Sequence, residues 1–310
     1  MSNVRRDPRD RRGTRDHRKP ARQQRPSTDA SARTGTDARG GESRVERRNA
    51  RFQQWEALLT NRNTRHRRGE FLVQGVRPIS EAIAHHWRIR TLLHAGNLKS
   101  QWARDLVGGG VADEVVRLSP ELLHELGEKD EDTAELIAVV AIPPDDLTRI
   151  RVRQNGVVVV LDRPGSPGNV GSLLRSADAL GADGVVMAGR AADLYDPKTV
   201  RASRGSMFAV PVVRAETPAS VVEWLRTIES VVLVGTSEDA TTDLWDHDFR
   251  TPTALLVGNE SVGMSAFWAE NCDAVVRIPM VGSASSLNAA VAGSITLYEI
   301  ARQRGIGTVS

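Results

Sequence analysis

Along this chain the hydrophobic positions change period repeatedly, from helical to extended and back, and the changes predict two successive α/β segments. Phe52, Trp55, Leu58 and Leu59 recur at helical spacing, so order is expected to begin with a helix near residue 47. Short apolar runs predict strands at 71–75, 91–94, 115–118 and 136–142. Helices are expected at 79–86, at 99–106 and from Ser119, where a serine cap precedes proline at the first helical position. The basic run Arg62–Arg68 fits neither period and reads as a loop. Pro143, Pro144, Asp145 and Asp146 then break the pattern and begin a linker.

In the second alternation, strands are expected at 156–161, 184–187, 208–212, 231–234, 254–257 and 275–278. Helices are expected at 170–180, 198–204, 218–228, 265–270 and 286–304. Continuous apolar strands between helices predict a mostly parallel sheet covered on both faces, with ligands at the carboxyl ends of the strands. The chain therefore divides into a tail at 1–50, a smaller α/β segment at 51–148 and a larger one at 149–310.

The formal net charge of +3 conceals an asymmetry. Residues 1–50 carry 15 Arg and Lys against 7 Asp and Glu and almost nothing apolar, so this tail is expected to be disordered and to suit a polyanionic partner. No apolar run is long enough to cross a bilayer, and no apolar core follows the first arginines, so neither a membrane span nor a secretory signal is expected. Cys272 is the single cysteine, which excludes an intramolecular disulfide and a cysteine-rich zinc site. The histidines show no ligand spacing, so no metal is expected, and the default location is cytoplasmic.

Candidate chemistry falls at three predicted strand ends. In the first loop, Gly165, Gly168 and Gly171 do not have the G-x-G-x-x-G spacing of a dinucleotide turn, and no G-K-[ST] phosphate loop occurs. Asn169 reads as the N-cap of the next helix, and Arg175, flanked by Leu173, Leu174 and Ala177, as a partly buried arginine beside a site. In the second loop, Gly258 would let backbone approach a flat ligand, and Glu260 would hold a cation or orient an arginine. In the third, Ile278, Pro279 and Met280 offer backbone groups to a ligand edge, while Ser286 and Asn288 open a helix, where free N–H groups favour a negative or dipolar ligand. The basic run adds Arg62, Arg65, Arg67 and Arg68 as candidate phosphate contacts for a polyanion.

Asn169-x-Gly171-x-x-x-Arg175, Gly258-Asn259-Glu260-x-x-Gly263 and Ile278-Pro279-Met280-x-Gly282-x-x-x-Ser286-Leu287-Asn288 occur in that order, with the stretch 195–206 between the first two. Together they closely resemble the SpoU/TrmH family of RNA ribose 2′-O-methyltransferases, in the SPOUT superfamily, over roughly residues 150–305. The stretch 69–75 carries a likeness to that family's substrate-binding domain, a ribosomal-protein-like α/β/α sandwich. The resemblance implies an S-adenosylmethionine-dependent enzyme that methylates a ribose 2′-hydroxyl in structured RNA; the sequence does not choose ribosomal from transfer RNA, and the added N-terminal domain favours ribosomal RNA. It also implies a homodimer and a C-terminal trefoil knot. By matching position, Asn169, Arg175, Glu260, Ser286 and Asn288 would carry the chemistry, and Thr236, Gly258, Ile278, Met280 and Leu287 would hold the cofactor. The family's general base is proposed at the position of Arg175. Deprotonating a guanidinium near neutral pH costs about 7 kcal/mol, which favours instead a phosphate anchor that stabilises the emerging alkoxide. Ser261 stands where the family often has glycine, which matters only if that backbone needs a positive φ. The competing reading is a non-catalytic RNA-binding protein that keeps the fold.

Overall fold

The computed structural model describes residues 43–127 and 134–305. Residues 1–42 of the expected tail lie outside the described part, and so do 306–310. The first part of the fold runs β1 (Ser43–Val45), α1 (Ala50–Thr60), α2 (Arg62–Arg68), β2 (Glu70–Gln74), α3 (Val76–Ala84), β3 (Ile89–His94), α4 (Gln101–Gly108), β4 (Ala112–Leu118), α5 (Pro120–Leu126) and β5 (Leu136–Ala141). Its five strands lie in the order β1-β4-β3-β5-β2, with β1, β4 and β3 parallel and β5 antiparallel to both of its neighbours. Order thus begins earlier than the hydrophobic pattern indicates. A three-residue edge strand is too short to show a period, and β1 is recognised only by its pairing with β4.

The second part runs β6 (Val157–Asp162), α6 (Pro167–Ala179), β7 (Gly184–Ala188), α7 (Pro197–Ser203), α8 (Ser206–Ala209), β8 (Val212–Ala215), α9 (Pro218–Leu225), β9 (Val232–Thr236), β10 (Thr242–Asp243), β11 (Thr253–Val257), α10 (Ala266–Asn271), β12 (Ala274–Arg277) and α11 (Ala289–Gln303). Its strands form one parallel sheet in the order β10-β12-β9-β11-β6-β7-β8. The strand expected at 208–212 is instead the short α8 followed by β8. Periodicity cannot separate a short apolar helix from a strand, and the Phe208 ring is held by Phe71 and Trp87 of the first part.

Period-two packing explains why the central strands are apolar throughout. On β6, Val157, Val159 and Leu161 enter one core cluster, while Val158 and Val160 enter another on the opposite face. β11 divides the same way, with Leu255 and Val257 on one side and Ala254 and Leu256 on the other. The first of these clusters also takes in Phe71, Val73, Leu92 and Ala138, so the two sheets share a continuous core. Among the described residues, no helix is long and apolar enough to cross a membrane.

Candidate active site

β12, β9, β11 and β6 are parallel neighbours, so the loops at their carboxyl ends open on one edge of the sheet. The loop after β11 is closed on itself. Asn259 and Gly263 exchange backbone hydrogen bonds of 3.0 and 2.9 Å, and Asn259 Oδ1 accepts from the amides of Ser261 (2.9 Å) and Val262 (3.2 Å). Asn259 Nδ2 donates to the Arg163 carbonyl at 2.7 Å, which ties this loop to the one after β6. A β-carbon on Gly258 would fall 2.6 Å from Met264 N and 2.7 Å from Gly263 C. Glycine is therefore needed there by the loop's own fold, before any ligand is considered. The left-handed position belongs to Gly263, at φ 65°, so serine at 261 meets no strain.

Asp162, which lies outside the three motifs, braces the same corner. Its buried carboxylate accepts from Arg163 Nε and Nη2, each at 2.9 Å, and from the Ser265 amide at 3.0 Å. A lone carboxylate ending an otherwise apolar strand was the signal for it.

Three of the expected catalytic residues meet. Glu260 accepts from the backbone amides of Gly165 (2.9 Å) and Ser166 (3.2 Å) and from Asn169 Nδ2 (3.1 Å). Asn169 Oδ1 in turn accepts from Asn288 Nδ2 at 3.0 Å. Asn288 is the N-cap of α11, its Oδ1 accepting from the amides of Ala290 (2.9 Å) and Val291 (3.3 Å). Partial burial works to raise the Glu260 carboxyl, but the Gly165 amide, with Asn169 and Ser166 behind it, holds it below its ordinary value. The carboxylate is thus kept charged. Asn169 does not cap α6 as expected: Ser166 does, with Pro167 at the first position, which leaves the Asn169 side chain to serve Glu260 and Asn288. Likewise α11 starts at Ala289 rather than at 286, and Ser286 is an exposed residue ahead of its cap.

Beside this group lies a cleft of about 570 Å³. Thr236, Gly258, Ile278, Met280 and Leu287 all line it, together with Ser286 and Glu260. Its walls are apolar at Val257, Met264 and Ala292, and its rim carries Ser237, Glu238 and Asp239. Apolar walls with a carboxylate rim suit an amphiphilic nucleoside bearing a positive charge, and S-adenosylmethionine has that chemistry. Among the described residues, no group of three or more His, Cys, Asp or Glu side chains is placed to hold a metal ion.

Arg175 is not brought into this group. α6 buries Val170, Gly171, Leu173, Leu174 and Ala177, and the helical period turns Arg175 out to solvent instead of half-burying it. The basic run also departs from expectation, for it is a helix, capped by the Asn61 side chain and ended by Gly69 at φ 64°. That periodicity buries Arg65 to 2 % exposure, where it cannot reach RNA. Its guanidinium binds Asp193 Oδ2 at 2.7 Å and the Leu58 carbonyl at 2.6 Å. His66 is half-buried in the same seam, 3.2 Å from Asp193 Oδ1. Arg62, Arg67 and Arg68 remain exposed, though Arg62 donates to the Ala191 carbonyl at 2.7 Å and Arg68 to Glu70 at 3.1 Å.

Residues 156–298 match the SpoU rRNA methylase family, and residues 49–138 match the SpoU L30e-like domain. A 23S rRNA (uridine(2479)-2′-O)-methyltransferase from Streptomyces viridochromogenes is 55 % identical over 266 residues, spanning 84 % of this chain and 92 % of that protein. The chain belongs to the SpoU/TrmH family. Among SpoU structures, that of AviRb from Streptomyces viridochromogenes in complex with AdoMet superimposes with a TM-score of 0.79 at 55 % identity, covering 83 % of this chain and 98 % of that one. A more distant relative, the 23S rRNA (guanosine(2553)-2′-O)-methyltransferase RlmP of Bacillus subtilis, is 31 % identical over 82 % of this chain and 96 % of its own length.

Proposed function

We propose that this protein transfers the methyl group of S-adenosylmethionine to a ribose 2′-hydroxyl in 23S rRNA. The carrying observation is the continuous hydrogen-bonded line from Glu260 through Asn169 to Asn288 at the edge of the cleft lined by Gly258, Ile278 and Leu287. When bound there, S-adenosylmethionine supplies an electrophilic methyl group. Thr236, Gly258, Ile278, Met280 and Leu287 hold it, and the rim carboxylates Glu238 and Asp239 favour its positive charge. Glu260 fixes the turn that opens α6, and Asn169 and Asn288 position the ribose. Ser286 adds a hydroxyl at the mouth. Arg175 grips the neighbouring phosphate and offsets the charge developing on O2′. Such alignment is worth about 7–11 kcal/mol of barrier when the reacting atoms are held in line.

Two further features belong to this reading. The segment from β11 to α11 forms the trefoil knot of the SPOUT superfamily, and the enzyme acts as a homodimer in the cytoplasm, where its substrate lies. A shallow groove between α6 and α11 supports the dimer: Val291, Ile295 and Tyr298 are 47, 37 and 61 % exposed along one apolar face. A second copy on that face would come close to the exposed Arg175 on the adjoining helix. The domain division at 51–148 and 149–310 stands as part of the proposal, with Arg62, Arg67 and Arg68 of the smaller part facing RNA.

The test is methyl transfer from labelled S-adenosylmethionine to 23S rRNA, followed by mapping of the alkali-resistant linkage that a 2′-O-methyl group leaves. Incorporation at one linkage is expected from the wild-type protein and is expected to be lost on Asn169→Ala. A protein that binds the RNA and the cofactor yet transfers nothing would instead be a non-catalytic RNA-binding protein.

A further inference from the structure

A second cavity, of about 220 Å³, lies where the turn from β2 into α3 meets the turn from α7 into α8. It shares no lining residue with the methyl-donor cleft. Its floor is apolar, built from Leu72, Pro78, Pro197 and Val200, with Val76 at 58 % exposure on its lip. Its rim is cationic, carrying Arg77, Arg201 and Arg204, all exposed. No carboxylate is among its lining residues; Glu81 of α3 lies 3.9 Å from Arg77 and 3.5 Å from His85.

The two walls are fixed against each other. A β-carbon on Gly205 would lie 2.8 Å from Glu81 Cγ and 3.7 Å from Pro78 Cα, so the α7–α8 turn sits directly on α3. Trp87 Nε1 donates to the Phe208 carbonyl at 3.1 Å and holds the same seam from behind. On the far side, α7 packs on the helix that carries Asn169. A β-carbon on Gly171 would fall 2.5 Å from Ala202 Cβ and 2.6 Å from the Thr199 carbonyl. The walls of the cavity are therefore packed on each other and, through α7, on the helix that carries Asn169.

We infer that this cavity receives one unstacked nucleotide of the RNA substrate, its base on the apolar floor and its phosphate among Arg77, Arg201 and Arg204. The volume is below the roughly 300–1,000 Å³ that encloses a drug-sized ligand, which suits a single base rather than a whole cofactor. Proteins read RNA largely through unstacked bases splayed from loops and bulges, stacked on aromatic side chains or on arginine guanidinium planes; here the rim arginines supply such planes beside the apolar floor. A nucleotide held here would set where the target ribose arrives, since the wall it touches is packed on α6. The inference rests on the proposed rRNA substrate and extends it to a second contact point.

The test is binding of 23S rRNA to the full chain over a range of salt, with methyl transfer to the same RNA read in parallel. Arg77→Gln combined with Arg204→Gln is expected to weaken RNA affinity at least tenfold and to lower the slope of log affinity against log salt by about 0.7 for each phosphate no longer neutralised. Affinity for S-adenosylhomocysteine should stay within twofold, because the methyl-donor cleft shares no lining residue with this cavity. Val76→Trp, which fills the mouth without changing charge, is expected to weaken RNA affinity with the salt slope unchanged. Unaltered affinity and slope in the arginine double variant overturn the inference. Methyl transfer by the wild-type protein decides separately whether the activity stands.

Discussion

Asn169 uses both ends of one short amide: Nδ2 donates to Glu260 and Oδ1 accepts from Asn288. Aspartate there would have no donor for Glu260 and would add a second negative charge, so the residue type is dictated by its two neighbours. Glu260 is the more instructive site for substitution. Glutamine would place an N–H group against the amide donors of Gly165 or Ser166, and one of those hydrogen bonds would break. Because the carboxylate is exposed, the stability cost of Glu260→Gln should be only about 1 kcal/mol. The α6 turn it holds should shift, however, and kcat/KM should fall about tenfold with S-adenosylhomocysteine binding little changed. Kinetics alongside thermal unfolding check this; full activity would mean that the Gly165–Ser166 turn holds itself. The sequence motifs single out Asn169, Glu260 and Asn288, and the fold brings their side chains together. Asn169 has the chemistry of a helix cap, and only the folded chain shows that Ser166 has taken that place. Gly171 was legible as a motif glycine, but its reason, close approach to Ala202 and Thr199 across the α6–α7 crossing, involves an element far along the chain.

At the scale of elements, α2 shows best what the sequence hides. Seven residues with four arginines and one histidine look like a solvated loop, and no apolar stripe marks a helix. The stripe is instead Thr64 and Arg65, buried because Asp193 waits in the other part of the fold. A buried charge needs its partner, and removing one member of such a pair costs about 3–5 kcal/mol. Asp193→Ala should therefore lower stability by that order, measured from urea unfolding at pH 7. Burial opposes the Asp193 charge, but His66 and Arg65 overcome it and bring the carboxyl down to about 2. The sign follows: a depressed carboxyl stabilises the fold fully above its ordinary value of about 3.9, and that contribution fades as pH drops toward the folded value. The gap between wild type and Asp193→Ala should accordingly narrow as pH falls from about 4 to about 2. A gap independent of pH would assign the loss to packing alone. Most strands, by contrast, were legible to within a few residues, since buried parallel strands run as continuous apolar stretches between turns, and the one misplaced, at 208–212, is where a short apolar helix has the same pattern.

For the molecule as a whole, two sheets with separate sequence patterns share one core, and the pattern gave no sign of it because each sheet satisfies its own period. Among the described residues, α11 leaves one apolar face uncovered at Val291, Ile295 and Tyr298. Three large apolar side chains on one exposed stripe are more than a free surface needs. Ile295→Arg should convert a dimer into a monomer by sedimentation and abolish methyl transfer, while the unfolding midpoint of the isolated chain moves little. A wild-type protein that sediments as a monomer at working concentration would remove the dimer from the proposal.

The line from Glu260 to Asn288 also bears on when the protein can begin to work. Asn169 is braced by side chains 91 and 119 residues downstream of it. A ribosome translating this message has therefore exposed β6 and α6 long before either brace exists. On the proposed reading, competence arises only as α11 emerges, so a chain truncated before Asn288 should transfer no methyl group.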